Sequence, residues 1–363
     1  MPVKIEPIVA SLPDTVPFVA PEETERANGA RFKARLGANE GNFGAAPAAI
    51  KAIQEAARND VWRYSDPTYF ELREALCTKL GLSEEELVCG PGIDGLLGLI
   101  VRIFSAPGDV IVTSLGAYPT FNYHVHAYGR ELEAVPYRGF HEDLDALARR
   151  ALELKASIVY LSNPDNPMGT WWDARSVEAF FDAVPEDTLI ILDEAYGETA
   201  PVGTLTTIDT TRANVIRVRT FSKAYGLAGL RVGYAFGHSD LIRPFHRVRD
   251  HFGVNIMAQK AALASLKSQE WLAQTVHKIA LGREQIAQIA HANGLVPIAS
   301  ATNFVTLECG AGADYASGLL HRLSDWGIFI RKPMAPGIDH CIRVSVGRDD
   351  ELAAFAKALP EAL

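Results

Sequence analysis

Cysteine, positive charge and long apolar runs are all scarce in this sequence of 363 residues. No two of its four cysteines are spaced as C-x-x-C, which disfavours a zinc knuckle or a redox pair and fits a reducing compartment. Lys and Arg number 35 against 44 Asp and Glu, a net charge of −9, so neither nucleic acid nor an anionic membrane is an expected partner. No apolar run is long enough to cross a bilayer, and no secretory signal is evident. We therefore predict a cytoplasmic protein.

Short apolar runs alternate with helix-like segments through most of the chain. Four runs have the length of a strand and cover residues 109–115, 156–162, 188–196 and 214–222. They are continuous in Val, Ile and Leu, which is typical of strands buried on both faces. Thr68 and Glu71 have capping-box spacing, which predicts a helix start before the Leu repeat that ends at residue 80. The pattern indicates an α/β fold with a mostly parallel sheet flanked by helices.

The chain is too long for one ordinary core, so two packed units are expected. Residues 1–45 are predicted to be an irregular arm that joins the smaller unit. Residues 46–270 are predicted to form the large domain and residues 271–363 a smaller α+β domain.

Polar side chains stand at the ends of the four predicted strands. In open α/β sheets, ligands lie outside the carboxyl ends of the strands. The residues at these ends are Tyr118, Asn163, Asn166, Asp193, Glu194, Tyr196, Ser222 and Lys223. We therefore predict one site that combines an aromatic ring, amides, a carboxylate, a phenol, a hydroxyl and an amine.

These residue types suit pyridoxal 5′-phosphate (PLP). A partly desolvated amine such as that of Lys223 is nucleophilic and forms a Schiff base with a carbonyl. A buried carboxylate, Asp193, needs a positive or donating partner, and a protonated pyridine nitrogen is one. Tyr118 is expected to stack on a ring face. PLP chemistry requires this lysine and this carboxylate.

A phosphate cradle is predicted at the glycine turn GPGIDG, residues 90–95. The turn lies between a predicted strand and a helix, where backbone N–H groups bind anions. Ser222 and Arg231 are expected to complete the cradle, with Arg231 as a forked donor.

The motifs resemble one known family when taken together in chain order. The matching segments are LGANEGNFG (36–44), RYSDPTYFELREAL (63–76), NPDNPMGT (163–170), LDEAYGE (192–198), TFSKAYGLAGLRVGY (220–234), VNIMAQKAAL (254–263) and CIRVSVG (341–347). The sequence resembles the fold-type I PLP-dependent aminotransferases of class I/II, and within them the histidinol-phosphate aminotransferases.

The resemblance implies a role for each residue of the cofactor site. It implies that Lys223 holds PLP as a Schiff base and later moves the proton, and that Asp193 pairs with the pyridine nitrogen. It further assigns Tyr196 and Asn166 to the ring hydroxyl, Tyr118 to the ring face, Gly92, Ile93, Asp94, Ser222 and Arg231 to the phosphate, and Tyr64 to the phosphate in a partner subunit. A homodimer with shared active sites follows from the role of Tyr64.

The substrate residues implied by the resemblance are Arg343, Arg331 and Asn39, with Arg343 as the clamp for a carboxylate. The sequence departs from the family at Phe18, where a tyrosine often holds the substrate phosphate. It also has Asp165 and Met168 in a motif that usually reads NPNNPTG.

The predicted activity is ping-pong transfer of an amino group from a small-molecule donor to a 2-keto acid. Histidinol phosphate and 2-oxoglutarate are the expected pair. An aromatic or other amino-acid aminotransferase and a related phospho-amino-acid decarboxylase remain as alternatives. A nucleotide-binding dehydrogenase is disfavoured because GPGIDG lacks a clear acidic partner on the next strand. A non-catalytic binding protein is disfavoured by Lys223 and Asp193, and no metal site is predicted.

Overall fold

The computed structural model describes residues 3–13 and 20–363. Its strands are β1 (Ala34–Arg35), β2 (Leu87–Gly90), β3 (Val110–Ser114), β4 (Glu131–Val135), β5 (Ile158–Ser162), β6 (Leu189–Asp193), β7 (Val215–Thr220), β8 (Gly233–Gly237), β9 (Val296–Pro297), β10 (Phe304–Glu308), β11 (Ile328–Phe329) and β12 (Cys341–Ser345). Its helices are α1 (Pro7–Ala10), α2 (Pro21–Asn28), α3 (Pro47–Asn59), α4 (Phe70–Leu80), α5 (Gly92–Phe104), α6 (Pro119–Ala127), α7 (Leu144–Leu154), α8 (Ala174–Ala183), α9 (Ser239–Ile242), α10 (Phe245–Val248), α11 (Ile256–Lys267), α12 (Gln269–Ala292), α13 (Ala313–Asp325) and α14 (Asp349–Ala362).

A seven-stranded sheet forms the centre of the fold, in the order β2-β8-β7-β6-β5-β3-β4. Its strands are parallel except β8, which runs antiparallel to both β2 and β7. Every residue of β5 and β6 is buried, because helices cover both faces. This explains their continuous Val, Ile and Leu runs and confirms the predicted α/β fold with a mostly parallel sheet.

Helix α4 begins at Phe70, where the sequence predicts a helix, but its cap differs from the prediction. The carboxylate of Asp66 accepts hydrogen bonds from the backbone N–H groups of Thr68 at 2.7 Å and Phe70 at 3.1 Å. Asp66 therefore takes the place of the cap that we predicted from Thr68 and Glu71, because its side chain reaches the N–H of Phe70, the first helical residue, and that of Thr68 just before the helix.

A second group of strands lies in the C-terminal part of the chain. Strands β12, β10 and β9 form an antiparallel sheet, and β1 pairs in parallel with β11. Strand β1, near the N-terminus, is thus part of a two-stranded sheet with β11 from the C-terminal part of the chain. The domain limits at 45 and 270 remain a prediction.

Over residues 3–13 and 20–363, no helix has both the length and the apolar character needed to span a bilayer.

Candidate active site

One cavity lies at the carboxyl ends of β5, β6 and β7. Of the residues predicted for the site, those that line it are Ile93, Asp94, Tyr118, Asn166, Asp193, Tyr196, Ser222, Lys223 and Arg231. They come from separate strand ends and from the start of α5, which the parallel sheet brings together. Lys223 and Asp193 therefore face the same space.

Lys223 provides the amine of the cavity. Its Nζ donates a hydrogen bond to the backbone oxygen of Asn39 at 3.0 Å and lies 5.5 Å from the ring centre of Tyr196. Burial, followed by the charges of Arg343 and Arg231, lowers the pKa of Lys223 to about 8. A larger fraction of this amine is neutral near pH 7 than of an ordinary lysine.

Covalent attachment of an aldehyde cofactor to the free protein should therefore depend on pH. Only the neutral amine of Lys223 is nucleophilic, and its fraction falls as the pH drops below its pKa of about 8. We expect the attachment rate to fall about tenfold per unit below that pH and to level off above it. Stopped-flow absorbance after PLP is mixed with the apoprotein measures this. A midpoint near the pKa of an ordinary lysine would contradict the expectation.

Asp193 ends β6 and is held by two donors. Its Oδ2 accepts a hydrogen bond from the hydroxyl of Tyr160 at 2.7 Å, and its Oδ1 accepts one from the N–H of Ala195 at 2.9 Å. Burial raises the pKa of Asp193 to about 6. The carboxylate is therefore ionised at neutral pH, and a cationic ligand would stabilise that charge.

The start of α5 contributes Ile93 and Asp94 to the cavity wall, and Ser222 and Arg231 line the same cavity. Nη1 of Arg231 donates to the hydroxyl of Ser222 at 3.3 Å. Gly92 has φ +75°, and a Cβ there would lie 2.5 Å from Nη2 of Arg231. The guanidinium thus occupies the space beside a helix start that carries free N–H groups, an arrangement suited to a phosphate.

Replacing Gly92 with alanine should weaken cofactor binding. The new methyl group would push the guanidinium of Arg231 away, and the positive φ would strain the turn. We expect PLP affinity to drop about tenfold or more, since a charged hydrogen bond contributes about 1.5–3 kcal/mol. Dialysis followed by cofactor absorbance measures the loss. Gly229→Ala is the control, because a Cβ there meets open space. An equal loss of PLP affinity in both variants would contradict a phosphate site at Gly92 and Arg231.

Tyr196 lies beside Lys223 and is almost fully buried. Its hydroxyl accepts a hydrogen bond from Nδ2 of Asn39 at 3.2 Å, and its ring packs edge-on against Phe304. Burial raises the pKa of Tyr196, so the phenol stays protonated and remains a donor. Asn39 is fixed in turn by Ser345, whose hydroxyl donates to its Oδ1 at 2.9 Å.

Arg343 is joined to the cavity through Asn166. Its Nη1 donates to Oδ1 of Asn166, and its guanidinium lies 5.1 Å from the ring centre of Phe304. The backbone of Arg343 pairs with that of Arg331 in an isolated β-bridge, which brings the two predicted arginines together. Burial and then the charge of Arg343 lower the pKa of Arg331 to about 10.

Tyr64 is 80% exposed and stacks on Phe252, with ring centres 4.7 Å apart, outside the cavity of its own chain. Phe18 lies outside the described residues. The roles of both remain predictions.

Sequence reasoning missed several residues of the cavity wall. They are Ala38, Glu40, Tyr160, Ser162, Ala195, Thr220 and Ala228. Tyr160 and Ser162 lie two positions apart on β5, so they face the same side of the sheet. Counting back by two from the strand end would have found Tyr160. The described residues contain no cluster of His, Cys, Asp and Glu that could hold a metal ion.

Comparisons with known proteins agree with this geometry. Residues 33–359 match the family described as aminotransferase class I and II. The chain is 37% identical to a histidinol-phosphate aminotransferase of Anaeromyxobacter sp. (strain Fw109-5), with 98% of this chain and 99% of that one covered. It is 32% identical to one from Moorella thermoacetica (strain ATCC 39073 / JCM 9320), over 99% of this chain and 93% of the relative.

One solved structure is similar to this chain in both fold and sequence. It is the histidinol-phosphate aminotransferase from Sinorhizobium meliloti in complex with pyridoxal-5′-phosphate, with a TM-score of 0.95, 48% identity, and coverage of 99% of this chain and 97% of that chain. An aspartate aminotransferase from Thermus thermophilus with maleate has a TM-score of 0.82 at 20% identity, over 99% of this chain and 100% of that one, and so shares the fold. The chain therefore belongs to the class I and II aminotransferase family.

Proposed function

We propose that this aminotransferase uses PLP to move the amino group of histidinol phosphate to 2-oxoglutarate by a ping-pong mechanism. The observation that carries the proposal is the cavity that Lys223, Asp193, Arg231 and Ser222 line together. The 48% identical relative from S. meliloti, solved with PLP, supports the cofactor, and the full-length relatives support the substrate.

The residues present fit PLP. The cradle at Gly92, Ser222 and Arg231 suits its phosphate, because the turn leaves no room for a Cβ beside the guanidinium. Asp193 is ionised and nearly dry, which suits a cationic ring nitrogen. Lys223 supplies the amine that attaches the aldehyde.

Each residue of the cavity has a separate role in the proposed reaction. When bound, PLP supplies the aldehyde that takes the amino group and a ring that accepts electrons from the substrate carbon. Lys223 acts as the general base that takes the proton from the α-carbon of the donor. Asp193 keeps the ring nitrogen protonated by placing a negative charge against it. Tyr196 donates from its hydroxyl, and Tyr118 covers the ring face.

Arg343 is proposed to hold the carboxylate of the keto acid. Its Nε is buried and has no hydrogen-bond partner among the described residues, although its Nη1 is engaged by Asn166. A carboxylate is the partner that suits a guanidinium edge. Arg331, paired along the backbone with Arg343, would add a second positive charge for a substrate anion.

Half-reactions test the proposed substrate. The holoenzyme is mixed with histidinol phosphate alone, and the visible absorbance of the cofactor should be lost and then restored by 2-oxoglutarate. We expect kcat/KM for histidinol phosphate to exceed that for phenylalanine or tyrosine by about tenfold or more. A higher kcat/KM for the aromatic amino acids would show that histidinol phosphate is not the preferred amino donor. Release of CO₂ from a phospho-amino acid would show that the reaction is a decarboxylation.

We also propose that the enzyme is a cytoplasmic homodimer. Trp62, Tyr64 and Phe252 are 81%, 80% and 46% exposed, and aromatic side chains exposed together are typical of interfaces. The four cysteines are free, as suits a reducing compartment. Light scattering should give twice the mass of the chain, and a monomer at micromolar concentration would contradict the dimer.

A further inference from the structure

The backbone oxygen of Asn39 connects Lys223 to a residue in the C-terminal part of the chain. It accepts a hydrogen bond from Nζ of Lys223 at 3.0 Å and another from Nδ2 of Asn303 at 3.1 Å. A carbonyl oxygen has two lone pairs, so these two donors satisfy it fully. The amine in the cavity and the amide of Asn303 therefore share one acceptor.

Asn303 is a buried residue directly before β10. It is 1% exposed, and its Nδ2 also donates to the backbone oxygen of Glu40 at 3.0 Å. The backbone oxygen of Asn303 accepts a hydrogen bond from the N–H of Val346 at 2.8 Å. Because carbonyl oxygens only accept hydrogen bonds, the side-chain amide must present its nitrogen to Asn39 and Glu40. One side chain thus holds two consecutive carbonyl groups.

The residues just before Asn303 are joined to the turn that follows β6. Oγ1 of Thr199 donates a hydrogen bond to the backbone oxygen of Ala301 at 2.8 Å. Nη1 of Arg283 donates to the backbone oxygens of Thr199 at 3.3 Å and Thr302 at 3.0 Å. The amide of Asn303 is therefore a fixed support for the carbonyl groups that it contacts.

The backbone at Asn39 has an unusual conformation that depends on such support. Its φ is +54°, in the left-handed region, which residues other than glycine rarely adopt, although asparagine does so more readily than most. The segment is also packed closely against Lys223, because a Cβ on Gly41 would lie 2.5 Å from the backbone oxygen of Lys223. A change in the backbone at Asn39 would turn its carbonyl away from the amine.

We propose that Asn303 is a positioning residue for the proton transfer by Lys223, and that it acts through the backbone oxygen of Asn39. The inference rests on the proposed role of Lys223 as the general base. A neutral amine has two hydrogens and one lone pair. A hydrogen bond from one of these hydrogens to a fixed oxygen restricts the direction of the lone pair that takes the proton, and misplacement of a reacting group costs much of the rate.

Asn303→Ala tests the inference in half-reactions of the holoenzyme. The donors are histidinol phosphate and glutamate, the amino acid that corresponds to 2-oxoglutarate, each with hydrogen or deuterium on the carbon that bears the amino group. With either donor that reacts, we expect the rate constant at saturation to fall about tenfold or more. The isotope effect should be no smaller than in the native chain, because the loss lies in the proton transfer.

Binding of the donor should change much less than the rate in Asn303→Ala. Oγ of Ser345 still accepts from the N–H of Asn39 at 3.0 Å and donates to its Oδ1 at 2.9 Å, so the side chain of Asn39 stays in place. We expect the apparent Kd to change less than about threefold. Stopped-flow absorbance over a range of donor concentrations gives both quantities.

Asn214→Ala is the matched control. Its Nδ2 likewise donates to two backbone oxygens, those of Pro185 at 3.4 Å and Thr188 at 3.2 Å. Asn214 precedes β7 at its amino end, whereas Thr220, at the carboxyl end, lines the cavity. This variant should keep the native rate constant and isotope effect. An equal loss of rate in both variants would show a general weakening of the fold and overturn the inference.

Asn303→Ser covers the case in which the alanine variant does not fold. Serine keeps a donor in the buried position, but its hydroxyl has one hydrogen and serves only one of the two carbonyl groups. We expect its rate constant to lie between those of the native chain and Asn303→Ala. A purely structural role would lower the amount of folded enzyme, which changes the amplitude of the absorbance signal and leaves the rate constant native.

A native rate constant in the Asn303 variants, or a loss of rate with a smaller isotope effect, would overturn the inference. If Lys223→Ala keeps the native rate constant, the proposed general base is wrong instead. If glutamate reacts and histidinol phosphate does not, the proposed amino donor is wrong, and the test of Asn303 still stands with glutamate. The failures of the inference and of the proposed function are thereby distinguished.

Discussion

Lys223→Ala is expected to lower kcat by about 10⁴-fold or more and to remove the visible absorbance of the covalently held cofactor. The expected loss is large because the proposed mechanism assigns to one amine both the attachment of the aldehyde and the movement of the substrate proton. No other lysine lines the cavity among the described residues. Single-turnover kinetics and an absorbance spectrum of the purified variant measure the two effects.

Lys79→Ala is the matched control for this prediction. Burial lowers the pKa of Lys79 as well, but its Nζ donates to the hydroxyl of Tyr225 at 3.2 Å, outside the cavity. This variant should keep the absorbance and most of the activity. Lys223→Arg preserves a positive charge without a nucleophilic amine and should be as inactive as the alanine variant. If Lys223→Ala retained the absorbance of the covalently held cofactor, Lys223 would not be the residue that attaches it.

Asp193→Asn is expected to lower kcat by about 10³-fold and to weaken PLP binding by about tenfold. The amide has nearly the same shape but no charge, so it cannot keep the ring nitrogen protonated. The position is 3% exposed, where water cannot replace the lost charge. Steady-state kinetics at saturating PLP separate the loss of rate from the loss of cofactor.

Tyr160→Phe provides a graded comparison for Asp193. It removes the hydrogen bond at 2.7 Å but leaves the carboxylate in place. Because that bond favours the ionised form, the pKa of Asp193 should rise, and kcat should fall by about tenfold at most, mainly at low pH. An Asp193→Asn variant with native kcat would show that the ring nitrogen needs no opposing charge.

Local sequence pattern was enough to predict the sheet and to bring the residues of the proposed cofactor site to one cavity. Continuous apolar runs mark β3, β5, β6 and β7 because strands covered by helices need no polar face. The residues directly after such strands share one edge of the sheet, which is why Lys223 and Asp193 could be assigned to one site from their positions alone. The start of α4 was also evident, although the choice of Asp66 as its cap depended on side-chain reach.

The contacts of the proposed substrate residues required the folded chain. Asn39 and Ser345 are 306 residues apart yet hydrogen-bonded, and Asn166 meets Arg343 across 177 residues. The local pattern of apolar residues cannot predict such contacts. They form when separate helices and strands pack together, and their buried polar groups then need hydrogen-bond partners other than water.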